Sequence, residues 1–144
     1  MSETQLLRPQ DLLKMSEDAE MAKVREALER KRREQQAERE LRDSFMREEV
    51  PPDAASRVTA MVRRAAEAGQ REVLALRFPA MFCNDHGRAI NNLDPDWPGS
   101  LEGEAKRAYA WFKEHLEPLG FKVRAQILNY PDGIPGEVGI FLRW

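Results

Sequence analysis

One cysteine, Cys83, is present in 144 residues, so no intrachain disulfide can staple the fold. A lone thiol in a chain of this size suits a reducing compartment, and a cytoplasmic location is the expectation. Histidine is nearly as scarce: His86 and His115 are the only two, which leaves little for metal or acid–base chemistry. No run approaches the roughly 20 apolar residues that span a bilayer. The start, Met1-Ser2-Glu3-Thr4, lacks a basic stretch followed by an apolar one, so neither a leader nor a membrane partner is expected. Charge of one sign is missing as well. The 23 bases and 25 acids leave a net charge of -2, and residues 1–50 carry 11 bases and 13 acids against 12 of each in 51–144. No global field draws the chain to nucleic acid or anionic lipid, and nucleic acid is not the expected partner.

Glycine and proline are absent from Gln10 through Val50. Nothing there stops a helix, and Pro9 suits a first-turn position, so one helix from about Pro9 to Glu49 is predicted. Glu26/Arg30, Glu29/Arg33, Glu38/Arg42 and Asp43/Arg47 set an acid four residues before a base, each pair worth roughly 0.2 to 0.5 kcal/mol. The apolar residues of this arm form two patches: Leu12, Leu13, Met15, Met21, Val24 and Leu28, then Leu41, Phe45 and Met46. Lys31, Gln35 and Glu38 interrupt the Met21-Val24-Leu28 seam, so the sustained heptads of a coiled coil are missing. A coiled coil therefore competes with a solvated arm whose end patch, Leu41 with Phe45, docks on the following domain.

Pro51-Pro52 ends the arm. The chain is thus read as a charged helical arm, 1–50, and a small α+β domain, 51–144. Within the domain, a helix starting at Asp53 buries Val58, Met61, Val62 and Ala65 and stops at Gly69. Glu72 to Phe78 is a short apolar run between Gly69 and Pro79 and reads as a strand. Met81 to Gly99 is rich in turn-forming residues, with one helical turn near Arg88 to Asn92. A third helix is expected over Ser100 to Leu119, burying Leu101, Ala105, Ala108, Phe112, Leu116 and Leu119 and stopping at Gly120. Phe121 to Asn129 and Glu137 to Trp144 alternate as paired strands. Their inward residues are Phe121, Val123, Ala125 and Ile127 facing Val138, Ile140, Leu142 and Trp144. The predicted fold is α+β: a long N-terminal helix, then a three-stranded, mainly antiparallel sheet covered by helices on one face.

Two places offer binding chemistry. The loop after the first strand gathers Asp85, His86, Arg88, Asn91, Asn92 and Trp97, polar groups and one aromatic wall where a rigid scaffold commonly presents its recognition residues. The competing explanation is turn construction, with Asp85 as a helix N-cap. The second place is the outward sheet face, where Lys122, Arg124, Phe141 and Arg143, joined by Arg77, could hold single-stranded nucleic acid by phosphate contact and stacking. Cys83 and His86 have the spacing of half a zinc site, but a structural site needs four ligands and no second pair exists. No catalytic residue, metal set or cofactor is assigned. The expected function is a non-enzymatic interaction or regulatory module, in which the arm contacts another protein or another copy and the α+β domain recognises a partner. Nucleic-acid binding by the sheet is the alternative, and a small enzyme centred on Asp85 to Trp97 comes third.

Overall fold

A computed structural model describes residues 3–144. Helix α1 runs Pro9–Arg47, 39 residues and so about 58 Å at ~1.5 Å per residue. The Asp11 carboxylate accepts a hydrogen bond from the Arg8 amide at its start. The chain divides into two compact units, one reaching Leu41 and the other Arg42–Trp144. The second unit therefore begins within the last turns of α1 rather than at Pro51. Phe45 is the reason: it is 7% exposed and its ring lies 5.2 Å from Phe78 and 4.9 Å from Phe82. Leu41, one turn earlier, stays 57% exposed, so of the two expected docking residues only Phe45 joins the core.

Helix α2, Ala54–Glu67, buries Ala54 and Ala65 and half-buries Val58, Met61 and Val62. Gly69 ends it with φ +82, the left-handed conformation that glycine tolerates without a Cβ penalty. Strand β1 (Glu72–Pro79) follows, then a short helix α3 (Arg88–Asn91), helix α4 (Gly103–His115) and strands β2 (Lys122–Ile127) and β3 (Glu137–Arg143). Helix α4 starts three residues after Ser100, which belongs to a 3-10 turn over Trp97–Ser100. It also stops before Pro118, leaving Leu119 exposed in a short 3-10 turn instead of on the buried face.

The sheet is antiparallel with order β1-β3-β2. A bulge between Leu74 and Leu76 lets β1 keep Leu76 and Phe78 on the same face as Ile140 and Val138. That face carries the core, in which Phe78, Phe82, Ile90, Leu101, Ala105, Ile127, Val138 and Ile140 cluster. Leu142 is buried too, whereas Val123, Ala125 and Phe121 are half-buried. Trp144 departs from the expected inward set: it lies past the end of β3, 40% exposed, with its ring edge toward Phe121 at 6.5 Å. No helix of the described residues is long and apolar enough to cross a membrane.

Candidate functional site

The loop between β1 and α4 is built on hydrogen bonds that its own polar residues make to the backbone. One Asp85 carboxylate oxygen accepts from the Gly87 amide at 3.0 Å and the other from the Ala89 amide at 2.9 Å. The N-cap of α3 is Gly87 and not the expected Asp85; Asp85 stands two residues earlier, and its carboxylate satisfies the Ala89 amide in the first turn, which lacks a helical partner. Asp94 repeats the device on the Asp96 amide at 2.8 Å, and the Asn84 side chain donates to the Gly99 carbonyl and to Glu102. Asp85→Ala is expected to cost about 1 kcal/mol in urea denaturation. Asp85→Asn, with a single carbonyl oxygen, keeps at most one of the two bonds and should fall between wild type and alanine.

The remaining loop candidates are not brought to one point. Asn91 accepts a hydrogen bond from the Tyr130 hydroxyl at 2.7 Å, tying α3 to the β2–β3 connection. Trp97 is half-buried, packed on the core with its ring 5.7 Å from Tyr109 in an edge contact. His86, at φ +58, and Arg88 and Asn92 are exposed. Cys83 is buried, and that burial pushes its thiol up to about 11. At pH 8 only roughly a thousandth would be thiolate, the nucleophilic form. Iodoacetamide is therefore expected to leave Cys83 unmodified in the native chain and to alkylate it readily in denaturant; modification within minutes in the folded protein would contradict this. Among the described residues, no three His, Cys, Asp or Glu side chains converge as a metal site would require.

On the outward sheet face the arginines are engaged with acids from neighbouring strands. Arg124 on β2 reaches across β3 to Glu72 on β1, with Nε 2.9 Å and Nη2 2.7 Å from the two carboxylate oxygens. On the way its guanidinium lies 4.0 Å from the centroid of the Phe141 ring. Arg143 shares Glu72 at 3.5 Å, and Arg77 forms a two-pronged pair with Glu137, one bond measuring 2.9 Å. The Arg124 hydrogen bond holds the Glu72 carboxyl below the usual glutamate value, and the Arg77 hydrogen bond does the same for Glu137. Lys122 alone of the four bases has no ion-pair partner among the described residues. Antiparallel order puts β1 and β2 on either side of β3, and this carries Glu72 and Glu137 onto the face that the bases share. Phosphates would have to displace these carboxylates or settle for Lys122.

The sequence pattern does not disclose a cleft on the inner side of the sheet. Between α2, α4 and the inner sheet face lies a cleft of about 260 Å³. Its floor is Leu76, Val123, Ile140 and Leu142, and its walls include Val58 and Met61 from α2 and Ala108, Tyr109, Trp111 and Phe112 from α4. Its sequence signal is Tyr109 and Trp111, large apolar residues beyond those that one buried face of α4 requires. Glu104 lines the cleft, and its carboxyl is pushed up first by burial and then by the like charge of Glu48.

The class these features define is a small α+β domain, Arg42–Trp144, continuous with an extended charged helix. No protein-family model matches the chain, and neither a curated protein nor a solved structure does.

Proposed function

We propose that the chain is a non-enzymatic interaction module in which α1 up to Leu41 is the contact for a second helix, from another protein or from another copy. The observation that carries this is the exposure of six large apolar side chains, Leu12, Leu13, Met15, Met21, Val24 and Leu28, within five turns of one helix. A solvated spacer helix has no need of them, and none of the four acid–base pairs expected along α1 closes as an ion pair among the described residues. Burying one such side chain contributes about 1.5 to 3 kcal/mol, so even partial coverage would stabilise the helix more than such pairs could. Leu28, 59% exposed, marks the end of this patch; beyond it Glu29 to Glu40 offers only Ala37. Contact over 12–28 alone would be a short seam, suited to a reversible partner more than to an obligate coiled coil.

The α+β domain supplies the second recognition element. Of the loop candidates, His86, Arg88 and Asn92 are exposed and so accessible to a partner, whereas the sheet arginines Arg77 and Arg124 are paired with the domain's own glutamates. A second copy is the partner that the chain can provide by itself. Sedimentation equilibrium of the full chain should show mass rising above 16.6 kDa with concentration. Combining Leu13→Ser, Val24→Ser and Leu28→Ser should return it to monomer with the thermal transition of the domain unchanged. A full chain that stays monomeric at all concentrations, and is indistinguishable from this variant, would remove self-association.

A further inference from the structure

The cleft beside α4 is formed entirely by residues of the Arg42–Trp144 unit. Its floor consists of core side chains of the sheet, Ile140 and Leu142 among them, yet neither α2 nor α4 fills the space above them. An apolar lining gives water too few partners to be held there, and leaves the wall atoms without the contacts that packed cores make. About 260 Å³ is just below the ~300 to 1000 Å³ of small-molecule pockets, room for one short chain or one ring.

The charges at the rim discriminate among ligands. Arg57 is held by Asp53 at 2.9 Å. Arg107 donates to the Met46 and Glu48 carbonyls at 2.8 and 2.9 Å and lies 3.8 Å from Glu49. Arg57, the one base that lines the cleft, is thus paired, and Arg107, which does not line it, is committed to the end of α1. Glu104, in the first turn of α4, takes part in none of the ion pairs among the described residues. The uncompensated charge at the wall is negative, and Glu48 adds to it.

We propose that this cleft binds a small amphiphilic amine, its apolar body against Leu76, Val123 and Phe112 and its ammonium paired with Glu104. A cation there would offset both the partial burial of Glu104 and the repulsion from Glu48. An anionic head would meet the same carboxylate unfavourably, and a neutral head would gain nothing from it.

Three probes of equal chain length, octylamine, octanol and octanoate, titrated into the full chain at pH 7 separate the contributions. Binding is read by calorimetry and by tryptophan emission, with Trp111→Phe identifying the part of the signal that arises in the cleft. Octylamine should bind about tenfold or more tighter than octanol, as a charge-assisted hydrogen bond implies, and octanoate weakest. Glu104→Gln should bring octylamine down to the affinity of octanol while leaving octanol itself unchanged, which also shows that the cleft is intact. Equal affinities for the three probes, no binding of any, or octylamine binding untouched by Glu104→Gln would each overturn the proposal.

Discussion

Phe45→Ala is expected to destabilise the Arg42–Trp144 unit by about 3 to 5 kcal/mol, the range for deleting a buried aromatic from a packed core. The ring is nearly inaccessible and stands between Phe78 from β1 and Phe82 from the turn after it, so its removal leaves a cavity touching both. Leu41→Ala, one turn earlier and mostly exposed, should be close to neutral. Urea denaturation of the full chain measures both. The same contacts set the fate of a chain beginning at Pro51: it lacks Phe45 and should lose its cooperative transition, whereas one beginning at Arg42 should retain it. A loss of under about 1 kcal/mol for Phe45→Ala would place the end of α1 outside the core.

Gly103→Ala is the second large effect. Gly103 opens α4 with φ +54, and a Cβ there would stand 2.7 Å from the Phe45 carbonyl oxygen and 2.8 Å from the Met46 Cα. Both obstacles are backbone, so the segment carrying Phe45 must move if the methyl is to fit. Positive φ alone costs an alanine about 1 to 2 kcal/mol, and the clash should bring the total to about 3 kcal/mol or more. Gly69→Ala is the control, since its φ is +82 and nothing lies within 4 Å of the added carbon. It should show the backbone cost without the clash. Equal losses at the two positions would mean that the α1 end and the α4 start do not approach as closely as the structure places them.

These two residues also show where sequence patterns stop being informative. The helix from Pro9, the strand over Glu72 to Phe78, the left-handed stop at Gly69 and the β2–β3 pairing follow from local chemistry and are legible in the sequence, whereas Gly120, expected to stop the third helix, closes the 3-10 turn after α4 has already ended at His115. Phe45 was legible as an apolar residue near the end of the arm. Its entry into the core rests on residues distant in sequence, Phe78 and Phe82 beside its ring and Gly103, nearly sixty residues away, against its backbone. Strand order was hidden for the same reason, although β3 hints at its central place by carrying Val138, Gly139, Ile140 and Leu142, all buried. The row of bases on the outward face follows from strand alternation, but the local pattern offers Glu72 only as the start of a strand and not as the partner of Arg124. Three consecutive β-strands in space, not in sequence, make that pair. In the loop, Asp85 signals the start of a helical turn because that spacing is local, although the N-cap itself is Gly87, and nothing local links Asn91 to Tyr130.

The account turns on whether the apolar residues of α1 between Leu12 and Leu28 are covered in solution, and amide hydrogen exchange of the full chain reads this residue by residue. An uncovered helix opens with little free-energy cost and exchanges quickly along its whole length. Protection should be concentrated in 12–28, should rise with protein concentration, and should vanish in the chain carrying Leu13→Ser, Val24→Ser and Leu28→Ser while the amides of β3 remain slow. Fast exchange throughout 9–41 at every concentration, identical in the variant, would contradict the account and leave the helix as a solvated spacer.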